Sequence, residues 1–306
     1  MTAGVAGTVA APAAVRRRRW RPGAWPYLLP LLVLVGVWVY LPVLGTLVLS
    51  VVDWDLTSPT AELVGLDNLR RLLAEPEFGQ AALQTLVYAV ALLPAATVVP
   101  LLLAVLLWLR PGRASTVYRS LLFVPAMVAP VAVAVAWQFL LNPLNGLANE
   151  VTGWFGLPRV NWLGDPAWAL PVVVVVTSAR VVAFNLLLFC AALSGLDRRP
   201  VEAARLEGAT DVEVVRFVVL PQLRATVVLL GLLSLVLAGQ WTFTNVSVLT
   251  QGGPDGATDN VYHRIHTLGF VYFETGMAST ASVLVLVFFT AAALVAGLVR
   301  GRRGER

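Results

Sequence analysis

A single arginine, Arg180, stands midway along an otherwise apolar run at 167–193, with Asn185 about a turn beyond it. A guanidinium near the centre of a bilayer costs roughly 2.5–3.5 kcal/mol on insertion scales, so it needs a compensating environment. Two readings are open. Either Arg180 faces a hydrated cavity and touches a solute, anionic or heavily hydroxylated, or it is satisfied by a backbone carbonyl or a partner subunit. A second cluster, GQWTFTNVSVLT, brings Gln240, Trp241, Thr242, Thr244 and Asn245 close together. Aromatic faces with amide and hydroxyl groups complement a sugar, whose ring has apolar C–H faces and a hydroxyl rim. The same groups also hold helices together, through interhelical hydrogen bonds worth about 0.6 kcal/mol on average. Gln138, beside Trp137, has the same two readings.

Several other chemistries lack their residues. All 22 basic residues are arginine, so neither a G-x-x-x-x-G-K-[ST] phosphate loop nor a Schiff-base lysine can form. His263 and His266 make an H-x-x-H pair, but no third ligand stands near and no H-E-x-x-H pattern is present. They read as packed or solvated side chains rather than a metal site. Cys190, the one cysteine, lies in an apolar run and reads as a small core filler. No Ser-His-Asp, paired-carboxylate or Gly-rich phosphate constellation is found, so no catalytic residue, cofactor or nucleic-acid partner is expected.

The elements that carry these residues are membrane spans. The chain has 306 residues, 58% hydrophobic and 13% charged, too little charge to solvate a globule of this size. Crossing the hydrocarbon core takes about 20 mainly apolar residues. Six runs qualify: 25–50, 81–109, 118–141, 167–193, 225–249 and 277–299. The expected fold is therefore all-α, a polytopic membrane protein with six transmembrane helices. The first run follows an arginine cluster, yet it is too long for a cleaved signal and lacks a small-x-small exit site. Residues 1–24, rich in Ala, Gly, Pro and Arg, have too little to bury and are expected as a disordered tail, with 301–306 a second short tail.

Arginine placement gives the orientation. Seventeen arginines flank one side, in the N-terminal tail, the 109–119 loop, the 194–224 loop and the C-terminal end; Arg70, Arg71, Arg159 and Arg264 flank the other. Positive flanks stay inside, so both termini and the 194–224 loop are expected in the cytoplasm. The outer loops are then about 51–80, 142–166 and 250–276, with Trp154, Trp162 and Trp168 at the outer interface.

The 194–224 loop contains VEAARLEGATDVEVVRFVVLPQL, the most polar stretch between two apolar runs. Pro200 suits the start of a helix and Gly208 the left-handed residue that ends one. Thr210 with Glu213 has the capping-box spacing, and Asp211 complements the new helix dipole. Two short helices hinged at Gly208 are expected, the second stopping at Val219 or Leu220 before Pro221. Glu202 and Arg205 stand about a turn apart and can pair. The small Ala203 and Ala204 would let another protein approach closely; a helix lying on lipid headgroups has similar features.

EAARLEGA, then Phe217, then Leu220 and Pro221, resembles the E-A-A loop of binding-protein-dependent ABC importer permeases. VGLDNLRRLLAEPEFGQAALQTLVYAV, NWLGDP and VLTQGGPDGAT resemble the carbohydrate-uptake branch, and the T-x-G-G-P loop resembles the maltose and glycerol-3-phosphate permease subunits that carry it. The resemblance covers 25–300. It implies the type I ABC importer permease fold in a bacterial cytoplasmic membrane. It also implies a second permease, two copies of an ATP-binding subunit and an extracytoplasmic solute-binding protein. In that family the loop is a coupling helix seated in a cleft of the ATPase. Carried over, Glu202 would make polar contacts, Ala203 and Ala204 would fit the cleft, and Gly208 would permit the turn, ahead of Pro221. Two positions depart from the family: Glu207 where aspartate is common, and Arg180 near a place often held by tryptophan. An ion-coupled secondary transporter is the other reading, but such carriers generally keep acids within their spans. Every Asp and Glu here lies in a loop or near a membrane edge.

Overall fold

The computed structural model describes residues 25–304 except Leu56, so the expected tail at 1–24 and the last two residues lie outside the described residues. By chain contacts it divides into 1–45 and 46–306. The first unit holds most of an apolar helical run, Tyr27–Leu49, interrupted by a π turn at Gly36–Tyr40. The second holds the helices Pro76–Leu109, Pro166–Ser194, Asp211–Thr250 and Thr275–Leu294, each long and apolar enough to cross a membrane. Counting the first run, five described helices pass that test. The only described strands, Val52–Asp53 and Glu62–Leu63, form a small antiparallel ladder with Val52 opposite Leu63.

The expected run at 118–141 differs from a straight span. It is two helices, Arg113–Met127 and Pro130–Leu140, meeting at 92°. The cause is local: Pro130 opens the second helix and its ring disfavours the helical region for the residue before it, where Ala129 is extended (ψ 130°), as is Val128 (ψ 141°).

Proline has the opposite outcome elsewhere. Pro221 was expected to stop the second hinge helix, yet the helix continues unbroken from Asp211 to Thr250. A π turn at Val214–Val219 ends two residues before the proline, and the Leu220 N–H donates to the Val215 carbonyl, five residues back. That wider turn accommodates a residue whose ring would crowd the carbonyl four back in a regular helix. The same device precedes Pro42, after Gly36–Tyr40, and Pro100, after Pro94–Val98.

Each long span is apolar around most of its circumference, as lipid contact requires. Where spans meet, small residues and a few polar groups mediate the contact. Asn185 and Ala96 are both buried, and the Asn185 amide donates to the Ala96 carbonyl at 2.6 Å and to the Ser234 hydroxyl at 3.2 Å. Ala96 lies four residues before Pro100, which has no N–H to offer it, so a side chain from another helix supplies the donor.

Candidate functional site: a polar cavity and a hinged loop

The expected hinge forms by the expected chemistry. Arg199–Leu206 is helical, and Gly208 follows at φ +85°. The Gly208 N–H donates to the Arg205 carbonyl at 3.1 Å and the Ala209 N–H to the Ala204 carbonyl at 3.0 Å, the paired bonds of a Schellman ending. Thr210 restarts the chain with a complete capping box: its Oγ1 accepts from the Glu213 N–H, while its own N–H donates to the Glu213 carboxylate at 2.8 Å. Arg205 pairs with Asp211 at 3.4 Å across the hinge rather than with Glu202. Both partners are half exposed, so this pair adds little stability.

The hinge has an anchored face and an open one. Val201 and Val214 are buried in one apolar cluster with Ala104, Leu186, Phe189 and Leu223, which belong to three long spans. Ala204 leans onto that cluster, and Cys190 is buried within it. Glu202, Ala203, Gly208 and Pro221 are exposed. Beside them stand Leu206, Val212 and Phe217, exposed by 90%, 74% and 68%. Leu206 and Val212 carry no motif that marks them in the sequence. Their signal was two apolar residues in a polar loop whose hydrophobic neighbours, Val201 and Val214, occupy the buried face.

A cavity of about 480 Å³ opens where the broken span meets the helices at 166–194 and 211–250. Pro125, Val128 and Pro130, the residues of the bend, form one wall. Arg180, Gln240, Trp241, Thr244 and Asn245 are among the remaining lining residues, so five of the eight candidates named from the sequence come together, while Thr242 is buried and bonded to the Ala238 and Gly239 carbonyls. Their spacing explains it: Gln240, Thr244 and, between them, Trp241 occupy one face of a helix, and Thr177 and Arg180 one face of its neighbour. Asn185 and Gln138 are not among the lining residues. Asn185 is the buried interhelical donor described above, and Gln138 donates to the Val248 carbonyl at 3.4 Å.

Within the cavity the groups divide into spoken-for and free. Asn245 is buried and donates to Thr177 Oγ1 at 2.8 Å, and Thr177 in turn donates to the Val173 carbonyl. Trp241 meets Phe184 edge to face at a centroid distance of 6.3 Å. Arg180 and Gln240 are exposed to the cavity, and neither has a hydrogen bond or ion pair among the described residues. A second concavity of about 500 Å³, walled by Trp137, Leu140, Val151, Trp168 and Val175, offers a polar solute almost nothing. Its Trp162 ring packs edge-on against Trp168, with the indole N–H spent on Asn149.

The loop at 250–264 clasps the far end of the helix Pro76–Leu109. The Tyr88 hydroxyl donates to the Thr258 carbonyl at 3.0 Å, Thr85 accepts from the Val261 N–H, and Glu75 binds Arg264, which is nearly buried. His263 bonds Asp259 at 2.7 Å, and His266 stacks on Phe270 and meets Phe243 at a tilt. The two histidines thus have separate packing partners. No group of three or more His, Cys, Asp and Glu suited to a metal occurs among the described residues.

Comparison with known proteins places the chain in a family. The family model described as "Binding-protein-dependent transport system inner membrane component" matches residues 71–304. The chain is 30% identical to the sn-glycerol-3-phosphate transport system permease protein UgpA of Pectobacterium atrosepticum, over 89% of this chain and 91% of that one. It is 32% identical to the trehalose/maltose transport system permease protein MalF of Thermococcus litoralis, over 85% and 87%. Among solved structures, a bacterial ABC transporter that imports the acidic polysaccharide alginate contains a chain of similar fold. The TM-score is 0.80 at 22% identity, covering 91% of this chain and 94% of that one. Such relatives are transport components rather than enzymes, and the chain belongs to the family of binding-protein-dependent transport system inner membrane components, the permeases of ABC importers.

Proposed function

We propose that this chain forms half of the translocation pathway of an ATP-driven importer of sugars or related polar solutes in a bacterial cytoplasmic membrane. A second permease completes the pathway. Two copies of an ATP-hydrolysing subunit dock on the 200–221 loop from the cytoplasm, and an extracytoplasmic solute-binding protein delivers cargo to the loops near 53–80 and 250–275. The carrying observation is the unbroken helix Asp211–Thr250, with the capped hinge at one end and Gln240, Trp241 and Thr244 of the cavity at the other. At 1.5 Å per residue it is about 60 Å long. A sideways pull on the hinge would therefore reach the cavity through one rigid element. Burial of Val201 and Val214 supports this, because it ties both hinge helices to the bundle. The exposed Leu206, Val212 and Phe217 beside Ala203 make the open face suited to a protein partner. Arginine placement supports the cytoplasmic side for this loop.

The cavity favours a polar cargo that hydrogen-bonds Gln240 and Thr244 and lays an apolar face on Trp241. Among the described residues of this chain no carboxylate lines it, so this half of the pathway offers none of the acids that ion-coupled carriers generally use. The test is uptake into proteoliposomes holding this chain, its partner permease, the ATPase and the binding protein. Uptake should stop when ATP is removed and persist when an ionophore collapses the ion gradients. In a Cys190→Ala background, Ala203→Cys should crosslink to the ATPase. Uptake that follows the ion gradient, or labelling that reaches Ala203→Cys only from outside the cell, would overturn the reading.

A further inference from the structure

The relatives' names span neutral disaccharides and a phosphate ester, so family membership leaves the charge of the cargo open. The cavity itself carries a charge. Arg180 is the midpoint of the helix Pro166–Ser194, about 21 Å from either end at 1.5 Å per residue. Every other described lining residue is neutral. The helix supplies no acid between Asp165 and Asp197, and the neighbouring helix none between Glu213 and Asp255. Arg180 makes no ion pair among the described residues, although Arg71, Arg205 and Arg264 each have one. Within the described residues of this chain a guanidinium so placed is offset only by water or by an anion that enters the cavity, and a fork of N–H donors suits carboxylate and phosphate oxygens alike.

From this we infer that the transported solute is anionic, a carbohydrate or polyol bearing a carboxylate or phosphate, and that Arg180 is the residue that reads its charge. The inference rests on the proposed transport function for the identity of the site. The division of labour follows from the geometry. Gln240 and Thr244, spaced a turn apart, meet hydroxyl groups; Trp241, braced by Phe184, takes the C–H face; Arg180 across the cavity takes the anionic group. A neutral sugar would leave the guanidinium without a counter-charge during passage, so the same residue that attracts an anion discriminates against uncharged analogues.

Two measurements on the assembled transporter test this. In the first, Gln240→Cys in a Cys190→Ala background is reacted with negatively and positively charged methanethiosulfonates. The anion-to-cation rate ratio should fall at least tenfold on adding Arg180→Gln and be kept by Arg180→Lys. In the second, ATP-driven uptake of digalacturonate, sn-glycerol 3-phosphate and maltose is compared. At least one anion should be carried, with uptake reduced at least tenfold by Arg180→Gln and largely restored by Arg180→Lys. Which anion is carried separates a carboxylate cargo from a phosphate one. An unchanged thiol ratio, or maltose uptake indifferent to Arg180→Gln with neither anion carried, overturns the inference while leaving the importer reading intact. Failure of every ATP-driven uptake sinks the importer reading instead, and the thiol ratio still decides whether the cavity selects anions.

Discussion

Replacing Asn185 with leucine tests whether its amide serves the proline-bearing turn of another helix rather than a solute. The side chain is 1% exposed, donating to the buried Ala96 carbonyl at 2.6 Å and to Ser234 Oγ at 3.2 Å. Leucine keeps the branched shape but is larger, so the change removes the donors and adds some overpacking, which the cycle with Pro100→Ala separates from the lost bond. An interhelical bond averages about 0.6 kcal/mol in a membrane protein. A stranded buried acceptor adds about 1–3 kcal/mol, more than the lost bond alone. The expected loss is about 2 kcal/mol, roughly a thirtyfold change in the folded-to-unfolded ratio. Pro100→Ala supplies a backbone N–H four residues beyond Ala96. If the missing N–H is the reason for Asn185, then Asn185→Leu should be far less harmful in the Pro100→Ala background. A reversible unfolding titration in mixed micelles, run as a double-mutant cycle, reads this directly. A coupling energy below about 0.5 kcal/mol, the additivity expected of independent sites, would refute the assignment.

Gly208→Ala should destabilise the hinge by about 1–2 kcal/mol and Gly208→Asn by less, since left-handed backbone is the sole difficulty; a Cβ there meets nothing within 4 Å. Amide exchange across 199–213 would show it, and equal protection in both variants and the wild type would contradict it. Arg264→Met strands the Glu75 carboxylate, whose side chain is 20% exposed, and should cost about 3–5 kcal/mol, whereas Arg264→Met with Glu75→Leu should lie much closer to wild type in the same titration. Gly239→Ala would bring a methyl group within 2.6 Å of the Tyr262 ring carbon Cδ2. The cost should be about 1–3 kcal/mol, relieved when Tyr262 is shortened to alanine and unrelieved if the helices simply part.

The sequence discloses most clearly what depends on neighbours in the chain. Span positions follow from runs of apolar residues, and the hinge from Gly208 and the Thr210–Glu213 pair, because capping is a contact over three residues. Two proline effects point opposite ways. Pro130 breaks the third span, whereas Pro125, five residues earlier, sits inside an intact helix. Pro221 leaves the helix intact, because a π turn upstream widens the backbone. A rule about the proline alone does not distinguish them. Least legible are contacts between distant segments. Asn185 looked like a solute-facing amide because its partner lies 89 residues away, and the Arg264–Glu75 pair joins loops 189 residues apart. Arg180 and Gln240 could be singled out by type, but that they share one cavity depends on the crossing of two helices.

The π turn at Val214–Val219 also sets an angular phase. An α-helix advances 100° per residue, so one more residue in a regular helix would rotate everything beyond it by about that amount, whereas a π turn takes the surplus residue into one widened turn and holds the two sides nearly in step. Closing that turn into regular helix without shortening the chain would leave hinge and cavity each intact but aim the open face of the hinge roughly a quarter-turn away from its present bearing, so the two ends of this shaft would be mistimed rather than broken.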